Sequence, residues 1–247
     1  MATIAVIIPS RNDAPILAVC LAHLARQVRP ADIIIVVDNA STDNTAAVCD
    51  KAGVKRIYWP PPGVAGASAR GFDAAGTDIL ARIDADSRPG PDWLARVEND
   101  LDGAGPLALV TGPGVFYGGH RLVRWLGRTL YLGGYFHVVG FLLGHPPVFG
   151  SNYAMTAGVW SRIGPAVTRD VPGVHDDLEV SYLLRPDMHV TFDPGLRMPV
   201  SARPFESWSS LGRRLAMAWG TFVHLFGAER PLARRRARSR WARAHQR

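Results

Sequence analysis

The chain has 247 residues, of which 47% are hydrophobic and 20% are charged, so it can bury a sizeable core. This composition excludes intrinsic disorder for most of the chain. Its two cysteines, Cys20 and Cys49, exclude a disulfide scaffold and a four-cysteine zinc site. The first residues lack the basic region of a secretory signal, which favours a reducing, cytosolic environment.

The net charge of +7 is concentrated at the carboxyl end of the chain. Residues 229–247 contain eight arginines and one glutamate, whereas residues 1–228 contain 20 basic and 20 acidic residues. The globular part is therefore electroneutral, and an arginine-rich tail carries the charge. Nucleic-acid-binding domains carry positive charge on a folded face, so this distribution disfavours nucleic acid as the partner. An anionic membrane surface suits such a tail better.

Apolar runs predict strands and helices that alternate through the first half of the chain. Strands are expected at Ile4–Ile8, Ile33–Val37, Arg56–Trp59, Ile79–Ile83 and Leu107–Thr111. Helices are expected at Pro15–Gln27, Thr45–Ala52, Ala65–Gly76 and Pro91–Leu101. Because the strands are apolar along their length, the pattern predicts an α/β fold with a parallel sheet covered by helices on both faces.

Residues 120–150 form an apolar segment of a different character. From Thr129 to Ser161 there are 33 residues without Asp, Glu, Lys or Arg. The most apolar stretch, 129–143, is shorter than the roughly 20 residues that a membrane-spanning helix needs. Basic residues precede it at helical spacing, which is typical of an amphipathic helix leading into an apolar hairpin at a membrane interface. A helical subdomain packed on the sheet is the alternative.

Charged side chains follow three of the predicted strands, at the edge where open α/β sheets bind ligands. They are Arg11 and Asp13, then Asp38 and Asp43, then Asp84 and Asp86. The carboxylates of Asp84 and Asp86 are separated by one residue at the end of a buried strand. Together with phosphate oxygens, such a pair suits Mg²⁺ or Mn²⁺.

The order of these motifs resembles the family 2 nucleotide-sugar glycosyltransferases, which have the GT-A fold. The resemblance runs from Ile4 to about Leu184 and is carried by the segments 6–13, 36–43, 66–70, 84–86, 150–155 and 175–181. It implies a Rossmann-type mixed and mostly parallel sheet in one catalytic domain over residues 1–228. Residues 1–112 would be its nucleotide-sugar-binding half and 113–228 its acceptor-side half. A C-terminal helical, amphipathic region would follow, with 229–247 as the tail.

The resemblance also implies roles for individual residues. The nucleotide sugar would be bound by Pro9, Arg11, Asp38, Arg70, Asp84 and Ala85. A Mn²⁺ or Mg²⁺ ion would be held by Asp86 and Asp84. Asp177 would be the catalytic base, with Asp176 and His175 on the acceptor side. A single base and a single displacement imply inversion, because a retaining double displacement needs a second carboxylate as nucleophile.

The sequence departs from the family pattern at several positions. Arg11 stands where an aromatic residue is frequent, and Gly71 follows Arg70 where asparagine is common. The Gln-x-x-Arg-Trp motif of processive relatives is absent, so Arg213 and Arg214 are expected on the surface.

The expected function is sugar transfer from a nucleoside-diphosphate sugar, by default a UDP-sugar. The expected acceptor is a lipid or lipid-linked glycan at the cytoplasmic face of the membrane. Two alternatives remain open. One is a nucleotidyltransferase of related fold, although the loop at 9–13 lacks the glycines of that class. The other is a non-catalytic protein that binds polyanions or membranes through its basic tail.

Overall fold

A seven-stranded mixed sheet forms the centre of the molecule. The computed structural model describes residues 1–169, 171, 173–202, 212, 220–221, 223 and 231–245. The strands are β1 (Ile4–Ser10), β2 (Ile33–Asp38), β3 (Lys55–Tyr58), β4 (Ile79–Arg82), β5 (Ala108–Thr111), β6 (Gly114–Tyr117), β7 (Tyr153–Thr156), β8 (His189–Phe192) and β9 (Met198–Ser201). The sheet order is β3-β2-β1-β4-β7-β5-β8, and β6 and β9 form a separate parallel pair.

Most neighbouring strands of the large sheet are parallel. β1 pairs in parallel with both β2 and β4, β2 with β3, and β5 with β8. Only β7 runs antiparallel to its neighbours, β4 and β5. The predicted α/β class with a mixed and mostly parallel sheet is therefore confirmed.

Helices cover both faces of this sheet. They are α1 (Ala14–Leu24), α2 (Thr45–Ala52), α3 (Val64–Asp73), α4 (Trp93–Leu101), α5 (Arg121–Leu126), α6 (Gly140–Leu143), α7 (Ala157–Ile163), α8 (Asp176–Leu183) and α9 (Pro231–His245). Alternate residues of β1 face opposite sides: Ile4, Val6 and Ile8 pack in one core with α1 and α4, and Ala5 and Ile7 pack in the other with α3 and α7. This two-sided burial explains why the strand is apolar throughout.

Element boundaries differ from the sequence expectation at the site edge. β1 continues through Pro9 to Ser10, because Pro9 lies in register with Val37 at the end of the parallel pair. β4 ends at Arg82, one residue before the expected Ile83. α1 ends at Leu24 rather than at Gln27, whose side-chain amide instead donates to the carbonyl of Gly90 at 2.6 Å.

Residues 121–143 are helical throughout, as the alternative of a helical subdomain predicts. α5 and α6 are joined by helical residues that include the π-helical turns Gly127–Leu132 and Tyr135–Val139. Within the described part of the chain, no helix has the length and hydropathy needed to cross a membrane. The expectation for Arg213 and Arg214 falls outside the described residues.

Candidate active site

The loops after β1 and β2 meet at the carboxyl edge of the sheet. The backbone N–H of Asn12 donates to Ser41 Oγ at 3.0 Å, and the Asn12 side chain accepts from the Thr42 N–H at 2.7 Å. Parallel neighbours end at the same edge, so the segment after β4 also reaches this region. The expected convergence of polar loops is therefore present in the fold.

Asp38 lies buried at the end of β2 with both carboxylate oxygens engaged. One oxygen accepts the Ser41 N–H at 2.9 Å, and the other pairs with the Arg56 guanidinium at 2.8 Å. Ser10, its register partner on β1, is also buried. A ligand bound here would meet a carboxylate, a guanidinium and a hydroxyl.

Asp84 and Asp86 follow β4 and flank the buried residue Ala85. The Asp84 side chain is 40% exposed, lies 2.7 Å from the Arg82 guanidinium and accepts a hydrogen bond from the Ser151 hydroxyl. The backbone carbonyl of Asp86 accepts the Tyr117 hydroxyl at 2.7 Å. The Asp84–Asp86 segment is thus held from two sides, by the loop before β7 and by the end of β6.

Arg82 is the centre of the charge network, and sequence reasoning missed it. Its side chain is 2% exposed, and its guanidinium lies 2.7 Å from Asp84 and 2.9 Å from Asp176. It also donates to the Gly150 carbonyl. Asp84 and Asp176 are far apart in sequence, so this one cation joins the segment after β4 to the start of α8. The signal in the sequence was a charged residue inside an otherwise apolar strand.

Asp177 lies beside this network at the start of α8. One carboxylate oxygen accepts the Gly150 N–H at 3.0 Å, and the other lies 3.9 Å from His175 Nδ1. Burial raises the pKa of Asp177 above the ordinary value. The charge of Asp176 raises this pKa further, whereas His175 and Arg82 lower it. A partly exposed carboxylate with a raised pKa is a stronger base than an ordinary aspartate.

Asp176 is more deeply buried than its neighbour Asp177, with side chains 7% and 19% exposed. Its carboxylate accepts the Ser68 hydroxyl at 2.7 Å and pairs with Arg82. This placement favours a role in positioning α8 against α3 and β4 over direct contact with an acceptor. His175, predicted on the acceptor side, precedes α8, and its backbone N–H donates to Thr221 at 3.0 Å.

Of the remaining predicted nucleotide ligands, Pro9 and Arg11 lie at this edge, whereas Arg70 lies farther along α3. Pro9 is buried within β1, and Arg11 is exposed in the loop that follows it. Arg70 is exposed nearly two turns into α3. Gly71 faces the sheet, where a Cβ atom would lie 2.5 Å from an Ile7 methyl group, so the asparagine common at this position does not fit.

The donor set at this edge fits a hard divalent cation held jointly by protein and phosphate. Among the described residues, no group of three or more His, Cys, Asp or Glu side chains forms a complete metal site. The protein would supply the carboxylates of Asp86 and Asp84, and a substrate diphosphate would complete the coordination. The pKa of buried Cys20 is raised by burial and further by the charges of Asp86 and Asp84, so negative potential is concentrated here.

Several buried polar atoms at this edge have no hydrogen-bond partner among the described residues. Arg82 Nε and the Tyr153 hydroxyl are two of them, and Ser10 Oγ, Ser87 Oγ and His175 Nε2 are three more. Buried polar groups are usually paired, so the last three are candidates to contact a ligand, ion or water. Their positions beside Asp38, Asp86 and Asp177 coincide with the three predicted parts of the site.

Comparison with known proteins agrees with this architecture. The family model described as glycosyl transferase family 2 matches residues 5–155, more than half of the chain. The chain therefore belongs to glycosyl transferase family 2, and the family predicted from its motifs is confirmed. The match includes both loops after β1 and β2 and the Asp84–Asp86 pair, and it ends before α8.

A curated relative is an uncharacterised glycosyltransferase of Mycobacterium tuberculosis (strain ATCC 25618 / H37Rv), 36% identical over 134 residues. The alignment covers 51% of this chain and 60% of that protein. An uncharacterised glycosyltransferase of Mycobacterium bovis matches to the same extent. The chain thus spans less than two thirds of the length of these relatives.

Solved structures share the fold. Glucosyl-3-phosphoglycerate synthase from Mycobacterium tuberculosis, in complex with Mn²⁺, UDP-glucose and glycerol 3-phosphate, superimposes with a TM-score of 0.64 at 21% identity. The match covers 92% of this chain and 79% of that chain. A complex of the same enzyme with Mn²⁺, UDP and phosphoglyceric acid gives 0.63 at 22% identity, with 92% and 78% covered. The expectation of a divalent cation agrees with the Mn²⁺ in these structures.

Proposed function

We propose that this glycosyltransferase moves a hexosyl group from a nucleoside-diphosphate sugar, by default a UDP-sugar, to an acceptor hydroxyl with inversion. The observation that carries the proposal is the buried Arg82 guanidinium, which pairs with both Asp84 and Asp176. The same guanidinium donates to the Gly150 carbonyl, and the Gly150 N–H donates to Asp177 at 3.0 Å, so the metal-type carboxylate pair and the carboxylate base of raised pKa belong to one network. A metal-dependent displacement needs both parts.

The donor would bind along the carboxyl edge of the sheet. Asp38 and the unpaired Ser10 hydroxyl would contact the nucleoside, and Asp84 with Asp86 would hold the cation. Pro9, Ala85, Arg11 and Arg70 would complete this half of the site. The cation, when bound, neutralises the charge that develops on the departing diphosphate.

Asp177 would take the proton of the acceptor hydroxyl as that oxygen attacks the anomeric carbon. The Gly150 N–H holds one of its oxygens at 3.0 Å, which fixes the direction of the carboxylate. Arg82 reaches the carbonyl of the same glycine. Donor-side and base-side groups are therefore positioned by a single peptide segment, and a single displacement with Asp177 as base would give inversion.

The acceptor would be a lipid or lipid-linked glycan at the cytoplasmic face of the membrane. The supporting observation is that Leu143, at the end of the apolar helical segment, packs against Leu178 and Tyr182 of α8. The apolar segment thus contacts the helix that carries Asp177. The related fold of an enzyme solved with phosphoglyceric acid supplies the competing acceptor class, a small phosphorylated hydroxy acid.

A transfer assay tests the proposal. Radiolabelled nucleotide sugars are incubated with Mn²⁺ and either a lipid-linked glycan or a phosphorylated hydroxy acid, and the anomeric configuration of the product is read by NMR. We expect one UDP-sugar to be consumed with inversion, and Asp177→Asn to lower the rate by about 10² to 10⁴ while donor affinity is unchanged. Asp50→Asn, which changes an exposed carboxylate on α2, is the matched control.

The same assay separates the competing functions. Release of pyrophosphate from a nucleoside triphosphate and a sugar phosphate would identify a nucleotidyltransferase. Failure to consume any nucleotide sugar, with or without acceptor, would overturn the proposal. Loss of donor binding in Asp177→Asn would assign Asp177 to the nucleotide site, and another residue would then have to act as the base.

A further inference from the structure

The arginines of α9 divide into two faces with different surroundings. Arg234 and Arg238 face the domain: Arg234 lies over the Tyr182 ring at 3.9 Å, and Arg238 donates to the Arg185 carbonyl at 2.6 Å. Arg234 also donates to the carbonyls of Tyr182 and Leu184 at the end of α8. These contacts fix α9 on the domain, so its remaining arginines are held in a defined direction.

The other face of α9 is a stripe of exposed arginines. Arg236, Arg240 and Arg243 are spaced four and three residues apart and are all exposed. Residues at this spacing lie on one side of a helix. Residues 231–245 contain no acidic side chain. A row of positive charge with no acidic side chain in its own helix is complementary to a polyanionic surface.

Exposed apolar side chains lie on the helical segment 121–143, whose last helix, α6, packs against α9. Trp125 on α5, Val138 and Phe141 are 56%, 61% and 56% exposed. The Arg235 guanidinium lies 4.1 Å from the centre of the Phe141 ring, so the arginine and apolar groups adjoin. Indole and phenyl groups beside arginines are the composition of helices that lie at a membrane interface.

An apolar groove opens between α9 and this helical segment. Its volume is about 870 Å³, and its lining includes Leu132, Phe136 and Phe192, with Arg197, Arg235 and Ser239 also at its walls. It contains none of the predicted site residues, but Gly114 and Val115 at its wall belong to β6. The same strand ends at Tyr117, which binds the carbonyl of Asp86. At about 3.3 Å per residue, Gly114 lies about 10 Å along β6 from Tyr117.

We propose that the face formed by α9 and residues 121–143 binds an anionic bilayer, with one acyl chain of an anionic lipid in the groove. Arg236, Arg240 and Arg243 contact headgroup phosphates, and Trp125 and Phe141 enter the interfacial layer. Two signals, basic and apolar, are what stable attachment to a membrane requires. The inference deepens the proposed membrane location and rests on that part of the proposed function.

Co-sedimentation of the full chain with vesicles tests the face. Each basic residue near an anionic surface contributes about fivefold in affinity, so Arg236→Gln/Arg240→Gln/Arg243→Gln should bind phosphatidylglycerol vesicles about 100-fold more weakly. Arg26→Gln/Lys51→Gln/Lys55→Gln removes the same charge outside α9, including on β3 at the opposite edge of the sheet, and should bind nearly as wild type. Equal losses in the two triple variants, or wild-type binding only to vesicles without anionic lipid, would overturn the proposal.

Two further measurements test the apolar half. Phosphatidylglycerol brominated in its acyl chains should quench Trp125, a signal identified by its loss in Trp125→Phe. Short-chain phosphatidylglycerol should raise the Tm, inorganic phosphate should not, and Ser239→Phe should abolish the increase by filling the groove. Absence of Trp125 quenching, or an equal effect of phosphate, would show binding by charge alone and overturn the groove assignment. Sugar transfer to a soluble acceptor is measured in parallel, so failure of the membrane face is distinguishable from failure of the glycosyltransferase proposal.

Discussion

Removal of the Arg82 guanidinium should destabilise the fold more than removal of any surface cation. In Arg82→Met the side chain keeps most of its length but loses both ion pairs, at 2.7 Å to Asp84 and 2.9 Å to Asp176. Asp176 is 5% exposed, and its side-chain partner left among the described residues is Ser68, so its charge would be left almost uncompensated. Most of the stability lost in Arg82→Met should therefore come from the unpaired charge of Asp176.

The magnitude follows from the burial of the two carboxylates. Breaking a buried pair by removing one partner costs about 3–5 kcal/mol. Asp84 is 40% exposed and adds about 1 kcal/mol or less. For a chain of this size, 1 kcal/mol shifts the Tm by about 2–4 °C. Arg82→Met should therefore lower the Tm by about 6–20 °C in a calorimetric or fluorescence melt.

The chain offers a matched control on its surface. Arg162 and Asp187 pair at 2.8 Å, but their side chains are 47% and 35% exposed, so Arg162→Met should lower the Tm by at most about 4 °C. Adding Asp176→Asn to Arg82→Met should restore part of the lowered Tm, because the unpaired carboxylate charge is removed. A Tm within 2 °C of wild type for Arg82→Met, or no recovery in the double variant, would refute this reasoning.

Four other outcomes are expected. Because the pKa of Asp177 is raised by burial, the acid limb of kcat/KM should lie above the ordinary aspartate value of 3.8, and Asp177→Asn should lack it in pH-rate profiles. Burial, with the charge of Asp193 second, raises the pKa of Asp100 to about 6, so the folded state binds the proton more tightly than the unfolded state. The contribution of Asp100 to stability should therefore increase as pH falls from 7 to 4.5, and Asp100→Asn should raise the Tm at pH 7 more than at pH 4.5; a larger gain at pH 4.5 would contradict this. Gly71→Ala places a Cβ 2.5 Å from an Ile7 methyl and should lower the free energy of urea unfolding by about 1–3 kcal/mol. An unchanged midpoint would mean that β1 shifts enough to accommodate the added methyl group. Arg234→Met should also lower the urea midpoint, since two carbonyls at the end of α8 lose a charged donor; exposed Arg236→Met is its control.

The first half of the fold could be predicted from the sequence for simple physical reasons. β1 and β2 are buried strands with continuous apolar runs, and the charged residues that follow them mark the ligand edge. The Asp84–Asp86 pair and the two acids that begin α8 were likewise visible as clusters. Their spacing along the chain, however, carries no information about which carboxylate faces solvent.

The features that escaped prediction depend on tertiary contacts. Asp176 and Asp177 are adjacent and chemically identical, and only packing against Ser68 and Arg82 buries the first while leaving the second accessible. The charged Arg82 is tolerated in β4 because its guanidinium is surrounded by three acceptors outside the strand, namely Asp84, Asp176 and the Gly150 carbonyl. Charge alone predicts that residues 229–247 form a tail, but α9 within this segment packs through Arg234 onto the end of α8. The domain boundary at residue 228 stays a prediction.

The most direct test of the central account is calorimetric titration of UDP with and without Mn²⁺. If Asp84 and Asp86 hold a cation that bridges to the diphosphate, Mn²⁺ should strengthen UDP binding to the wild type by at least about tenfold, which corresponds to about 1.4 kcal/mol. Asp86→Asn should lose this dependence while keeping the wild-type Tm, because the residue follows β4 in a loop. Equal UDP affinity with and without Mn²⁺ in the wild type, or an undiminished Mn²⁺ effect in Asp86→Asn, would contradict the account.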